Sequence, residues 1–193
     1  MHTFTIAIAQ EKVLVPQSYY FAYLTSSDRL KLIKVTRGEN FTKEKIVTGI
    51  RLPPFSIFTW IGSDLFCVKA FSNKFFKVSI NFNSGNLSVS VTSKADTLVE
   101  NDGNVGISTF EARFIFKCGG VYNCLHSERY DVISNQWEML PEMNNPRVDP
   151  SSCTLNNSLY VIGDHASIER LANVNAPVNC LSPWTIILLP EEF

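Results

Sequence analysis

Cys118, Cys124 and His126 stand close together in this chain of 193 residues and are its nearest approach to a metal-ligand cluster. Tetrahedral zinc needs four ligands at compatible spacing, and no fourth follows nearby. Cys118 also ends an apolar run, where a small buried thiol is ordinary. No metal and no cofactor are therefore expected. Asp164, His165 and Glu169 form a second polar group. Such a trio could move protons, but no nucleophile or second carboxylate stands in a recognisable arrangement with it, and a polar turn between strands is expected. Arginine offers a third chemistry, because its planar guanidinium binds a carboxylate through two hydrogen bonds. Arg147 and Asp149 fall in one polar stretch, while Glu128-Arg129 and Glu169-Arg170 repeat a pair. The candidate partner-binding residues are accordingly Arg147, Arg170, His126 and His165. The rival reading of the repeated pair is a solvated strand edge or an ion pair between units.

Composition narrows what must position these groups. Hydrophobic residues make up 45% of the chain and charged residues 18%, with fourteen phenylalanines. That is too apolar for disorder and suits a sheet-rich interior. A net charge of −1 excludes the broad basic field that a phosphate backbone attracts, so no nucleic acid is expected. No apolar run is long enough to span a bilayer, and the first ten residues make a poor signal peptide. Five scattered cysteines do not form a secreted disulfide framework. Sequons at Asn40, Asn86 and Asn156 are of the kind that arise by chance in a chain rich in Asn and Ser. A cytoplasmic protein is the expectation.

The elements emerge from a repeat. Apolar strands centred on Tyr20, Phe66, Phe116 and Tyr160 recur at intervals of 46, 50 and 44 residues, the length of a four-stranded module. Tyr130 and Trp137 flank a polar turn at Ser134-Asn135, and Ile80 and Leu87 flank another at residues 83–86. Both pairs are expected to meet across a hairpin. In the last unit Trp184 arrives late, after an insertion holding Pro177 and Pro183. The units are placed at about 3–50, 51–103, 104–146 and 147–190 within one domain spanning 1–193. The third is predicted to hold strands at 107–110, 113–118, 128–132 and 137–140, the fourth at 152–155, 159–162, 168–171 and 185–189. A helical turn is entertained only at 94–102.

The run Phe114-Ile-Phe-Lys-Cys-Gly-Gly, then Glu128-Arg-Tyr-Asp, Trp137-Glu-Met-Leu-Pro and Pro146-Arg147 resembles a kelch repeat. The resemblance is specific in 113–147, partial in 151–190, and carried by spacing alone before that. It implies an all-β fold, a β-propeller of about four blades of four-stranded antiparallel sheet. It assigns close strand packing to Gly119 and Gly120 and the filling of space between blades to Tyr130 and Trp137. Arg147 matches the arginine that opens the next blade. Gly163 keeps one glycine where Asp164 replaces the second, Lys69-Ala70 replaces both in the second unit, and Trp184 answers Trp137.

Kelch propellers usually hold five to seven blades, so this chain is a fragment of a larger propeller, a small closed ring, or an arc that self-associates through its open blade faces. The implied function is a non-enzymatic protein-interaction scaffold, of the kind that serves as a substrate or cytoskeletal adaptor. The alternative is a propeller enzyme of the glycosidase or oxidase type. Three histidines are few for a copper site, and no spacing specifies the paired carboxylates of a glycosidase.

Overall fold

The computed structural model describes residues 8–10, 18–24, 29–36, 42–52, 56–83, 86–100, 103–122, 124–163 and 165–188. Among these residues sixteen strands fall into four antiparallel sheets, each a simple up-and-down meander. The first holds β1 (Ile8–Gln10), β2 (Ser18–Leu24), β3 (Arg29–Thr36) and β4 (Thr42–Arg51). The second holds β5 (Ile57–Ile61), β6 (Asp64–Val68), β7 (Phe75–Asn83) and β8 (Asn86–Ser93). The third holds β9 (Gly106–Phe110), β10 (Phe114–Cys118), β11 (Ser127–Asp131) and β12 (Gln136–Met139). The fourth holds β13 (Ser151–Leu155), β14 (Ser158–Gly163), β15 (His165–Ala172) and β16 (Thr185–Leu188). The four strands expected at Tyr20, Phe66, Phe116 and Tyr160 are β2, β6, β10 and β14, the second of each sheet.

The sheets follow one another as propeller blades. Their first strands adjoin in series, β1 against β5, β5 against β9 and β9 against β13. Successive side chains on a strand point to opposite faces, so each inner sheet feeds two interfaces. Leu65 and Cys67 of β6 meet Ala22, Leu30 and Leu32 of the first sheet. Phe66 and Val68 of the same strand meet Ile115, Tyr130 and Trp137 of the third. Phe114, Phe116 and Cys118 then meet Leu159, Val161 and Leu171 of the fourth. Covered on both faces, β10 is buried at every position. Three apolar clusters thus join four blades, and among the described residues no comparable contact joins β13 to β1.

Two local expectations are corrected. Tyr130 does pair with Trp137, but Ile80 pairs with Val89 and Leu87 with Phe82. The second hairpin closes at Asn83–Asn86, with two residues between, whereas the third closes at Asp131–Gln136, with four. The wider loop is fixed by Asp131, whose Oδ1 accepts the Ile133 amide, and by Asn135 in the left-handed region. The helical turn entertained at 94–102 is not formed in 94–100. That segment is held extended along the second sheet by main-chain bonds from Lys94 to Phe75 and from Thr97 to Asn73.

Candidate functional site

The second and third blades each send out, at one end, the loop joining their second and third strands and the linker to the next blade. Loop 69–74 of the second sheet closes on itself through Lys69 N to Lys74 O and is tied to linker 94–99 through Thr97 N to Asn73 O. Loop 119–126 of the third sheet is tied to linker 140–150 by Gly120 N to Arg147 O, Arg147 N to Cys124 O and Met143 N to Leu125 O. Gly119 makes the second fit possible. Its φ is +70°, and a Cβ there would lie 2.5 Å from Arg147 O and 2.8 Å from Pro150 Cγ. Gly163, at φ +133°, passes Pro150 in the same way in the fourth sheet. The glycines therefore admit the linker as well as packing strands.

The two tryptophans expected to correspond do the same work. Trp137 Nε1 donates to Ala95 O at 3.0 Å, and Trp184 Nε1 donates to Pro141 O at 2.8 Å. Each indole fills a blade interface and pins the linker entering its own blade. Tyr130 lies fully buried between the second and third sheets against Phe75 and Trp137, and burial pushes its phenol up to about 12. The insertion before Trp184 contains one 3-10 turn, Val178–Cys180.

Glu128 and Glu169 occupy equivalent places on β11 and β15, and both are buried. Glu128 accepts the Leu98 amide and pairs with Lys117. Glu169 accepts the Asn144 and Asn145 amides and the Asn144 side chain, and pairs with Arg147. Burial alone would raise the Glu169 carboxyl, but those donors and the guanidinium together hold it below its ordinary value. These glutamates were legible as a repeat, but their task of anchoring linkers was not.

The four candidate partner-binding residues scatter. Arg147 is 0% exposed, and its guanidinium donates to Gly163 O, Ser167 O, Ser167 Oγ and Glu169 Oε1. Its assignment to partner binding is corrected to a structural bolt, because every donor that a partner would use is turned inward. Arg170 is exposed but lies on the outer face of the fourth sheet, and its Nε donates to Ser158 Oγ. His126 is half-buried in loop 119–126, with Nε2 3.6 Å from Glu142 Oε1. His165 begins β15, and its side chain lies outside the described residues, as does Asp164. With Glu169 spent on the linker, the acid–base trio has lost its described member. Cys118 is sealed in the core and its thiol is pushed up by burial. Among the described residues no group of three His, Cys, Asp or Glu could hold a metal ion.

What the loop-bearing end does present is aromatic. Phe71 is 65% exposed on loop 69–74, and Tyr122 is 82% exposed beside the half-open Val121 on loop 119–126. Sequence reasoning missed both, since it assigned aromatics to the core. The signal lay in their neighbours: Phe71 sits among Ala70, Ser72 and Asn73, and Tyr122 after the diglycine, outside any strand alternation.

No family model matches the chain, and no curated protein matches it by sequence. Its fold is shared with solved structures. The structure of YjhT superposes with a TM-score of 0.62 over 100% of this chain and 66% of that one, at 10% identity. A triple arginine-to-alanine mutant of AofleA from Arthrobotrys oligospora gives 0.56 over 96% of this chain and 57% of its own, at 9% identity. At such identities the likeness is one of fold. The chain spans about two-thirds of the first neighbour's length and less of the second's. Among the described residues no helix is long and apolar enough to cross a membrane.

Proposed function

We propose that this chain is a non-catalytic interaction module of the kelch type, which receives a protein partner on its loop-bearing end. The observation carrying the reading is the display of Phe71 and Tyr122 on two loops that are each tied to a linker by main-chain bonds. Large aromatic side chains on a stiff support give much contact area for little ordering entropy, which is why they dominate protein interfaces. A rigid sheet scaffold carrying variable loops is the usual arrangement for such surfaces. The kelch assignment draws on Tyr130 and Trp137 filling the interface between the second and third sheets, on Gly119, Gly120 and Arg147 at the linker between the third and fourth, and on Trp184 repeating the part of Trp137. Cytoplasmic residence belongs to the same proposal and rests on the cysteine pattern.

The test is affinity capture with the wild type and with a Phe71→Ser/Tyr122→Ser variant, quantified by mass spectrometry against a folded control such as Ile133→Ser, exposed on the hairpin at the other end of the third sheet. Partners retained by wild type and control but depleted at least tenfold by the double variant support the reading. Equal recovery by all three removes it.

A further inference from the structure

The fourth sheet carries a second surface. Because Leu159 and Val161 of β14 face the third sheet, alternation turns Tyr160 and Ile162 to the opposite side. The third sheet shows what that side is for. Tyr160 and Ile162 correspond in register to Phe116 and Cys118, and Cys153 of β13 corresponds to Ser108 of β9. In the third sheet these positions are closed off by the fourth: Phe116 and Cys118 are 0% exposed and Ser108 8%. In the fourth sheet the same positions stand open, with Ile162 43% exposed, Cys153 exposed, and Leu155 and Ile187 exposed around them.

The arginines repeat the comparison. Arg129, opposite Phe116 on β11, is buried and reaches into the next blade, where Nη1 donates to Val174 O at 2.6 Å and to Ala176 O at 2.8 Å. Arg170, opposite Tyr160 on β15, is the corresponding residue. Its Nε meets Ser158 Oγ, and its two terminal nitrogens meet no acceptor among the described residues. We propose that the outer face of the fourth sheet is a docking surface for one further blade from outside these 193 residues. That blade is a four-stranded antiparallel sheet that covers Leu155, Tyr160, Ile162 and Ile187 and offers Arg170 a pair of main-chain carbonyls.

Charge selects this occupant over a second copy of the chain. The open face of the first sheet, opposite Leu30 and Leu32, carries Lys31 beside Ile33 and, across from Ile33, Lys45, so it would bring cations toward Arg170. Two copies of the fourth sheet would oppose Arg170 to itself. The solved neighbours are consistent with a further blade, since a third or more of each lies beyond the part this chain matches.

The experiment continues residues 1–188 after Leu188 with a second copy of residues 140–188 in which the copied cysteines are replaced, Cys153→Ser and Cys180→Ser. Alkylation of the original Cys153 is measured against the original Cys180, which is exposed on the 3-10 turn before Trp184. Covered as Ser108 is covered, Cys153 is expected to react at least tenfold more slowly in the extended chain. Ile162→Asp, and separately Arg170→Glu, placed in the original fourth sheet, are expected to restore the unextended rate. An unchanged Cys153 rate in an extended chain whose added strands are shown by circular dichroism to form would overturn the proposal. So would protection of Cys153 that grows with concentration in the unextended chain, because a second copy would then be the occupant.

Discussion

Replacing Arg147 by Met tests whether the linker bolt carries the weight its burial implies. The guanidinium is fully enclosed and makes hydrogen bonds at 2.7, 2.9, 3.0 and 3.2 Å to Gly163 O, Ser167 O, Ser167 Oγ and Glu169 Oε1. Met fills most of the volume but leaves two carbonyls short of a donor and the Glu169 carboxylate without its countercharge. Removing one partner of a buried ion pair costs about 3–5 kcal/mol. For a chain of this size that lowers Tm by about 6–20 °C. Urea unfolding followed by tryptophan fluorescence reads the loss, with Trp184 standing in the affected interface. Adding Glu169→Gln to Arg147→Met removes the stranded charge, so the double variant is expected to lose less than the sum of the single ones, by about 1–3 kcal/mol. Lys74→Met, which breaks a solvent-exposed pair with Asp96, is the control and is expected to cost less than about 1 kcal/mol. If Arg147→Met also costs less than about 1 kcal/mol, or shows no coupling to Glu169→Gln, the account of the linker is wrong.

Three further outcomes follow from the same geometry. Gly119→Ala, forced into a left-handed conformation with its Cβ 2.5 Å from Arg147 O, is expected to cost more than about 2 kcal/mol, whereas Gly62→Ala, left-handed in open space, costs about 1–2 kcal/mol; chemical denaturation separates them. Because the Glu169 carboxyl is held below its ordinary value, the stability it contributes is complete above about pH 4.5 and is lost as pH falls through its folded value. The urea midpoints of wild type and Glu169→Gln are therefore expected to converge as pH falls below about 4.5, and a constant gap counts against the assignment. Burial raises the thiols of Cys67 and Cys118, so under native conditions at pH 8 a thiol reagent is expected to modify Cys180 rapidly and these two only after unfolding.

The third blade was legible because its signals are local. A diglycine, the Tyr130–Trp137 spacing and an Asp-to-Asn hairpin turn all lie within one short stretch, and the strands formed within a residue or two of their expected places. In the second hairpin the same six-residue spacing misled, since Ile80 and Leu87 flank a turn of different length and the register follows the turn. Arg147 was misplaced for a different reason. Its partner Glu169 lies on a strand of the next sheet, and nothing in an Asn-Asn-Pro-Arg sequence distinguishes a buried bolt from a solvated loop charge. Phe71 and Tyr122 show the converse: hydrophobicity alone cannot tell a core aromatic from one displayed at a loop tip, because the distinction is made by the strand that fails to continue beneath it.

The paired glutamates bear on how such a blade could be moved between proteins. Glu128 draws its countercharge from Lys117 on the neighbouring strand, so the third sheet carries its own neutralising cation wherever it goes. Glu169 draws its countercharge from Arg147, upstream of the fourth sheet. A transplant cut at Ser151 would install an uncompensated anion in its new host, while one cut before Asn144 would arrive electrically complete. For this blade the portable unit begins in the connecting segment, several residues ahead of its first strand.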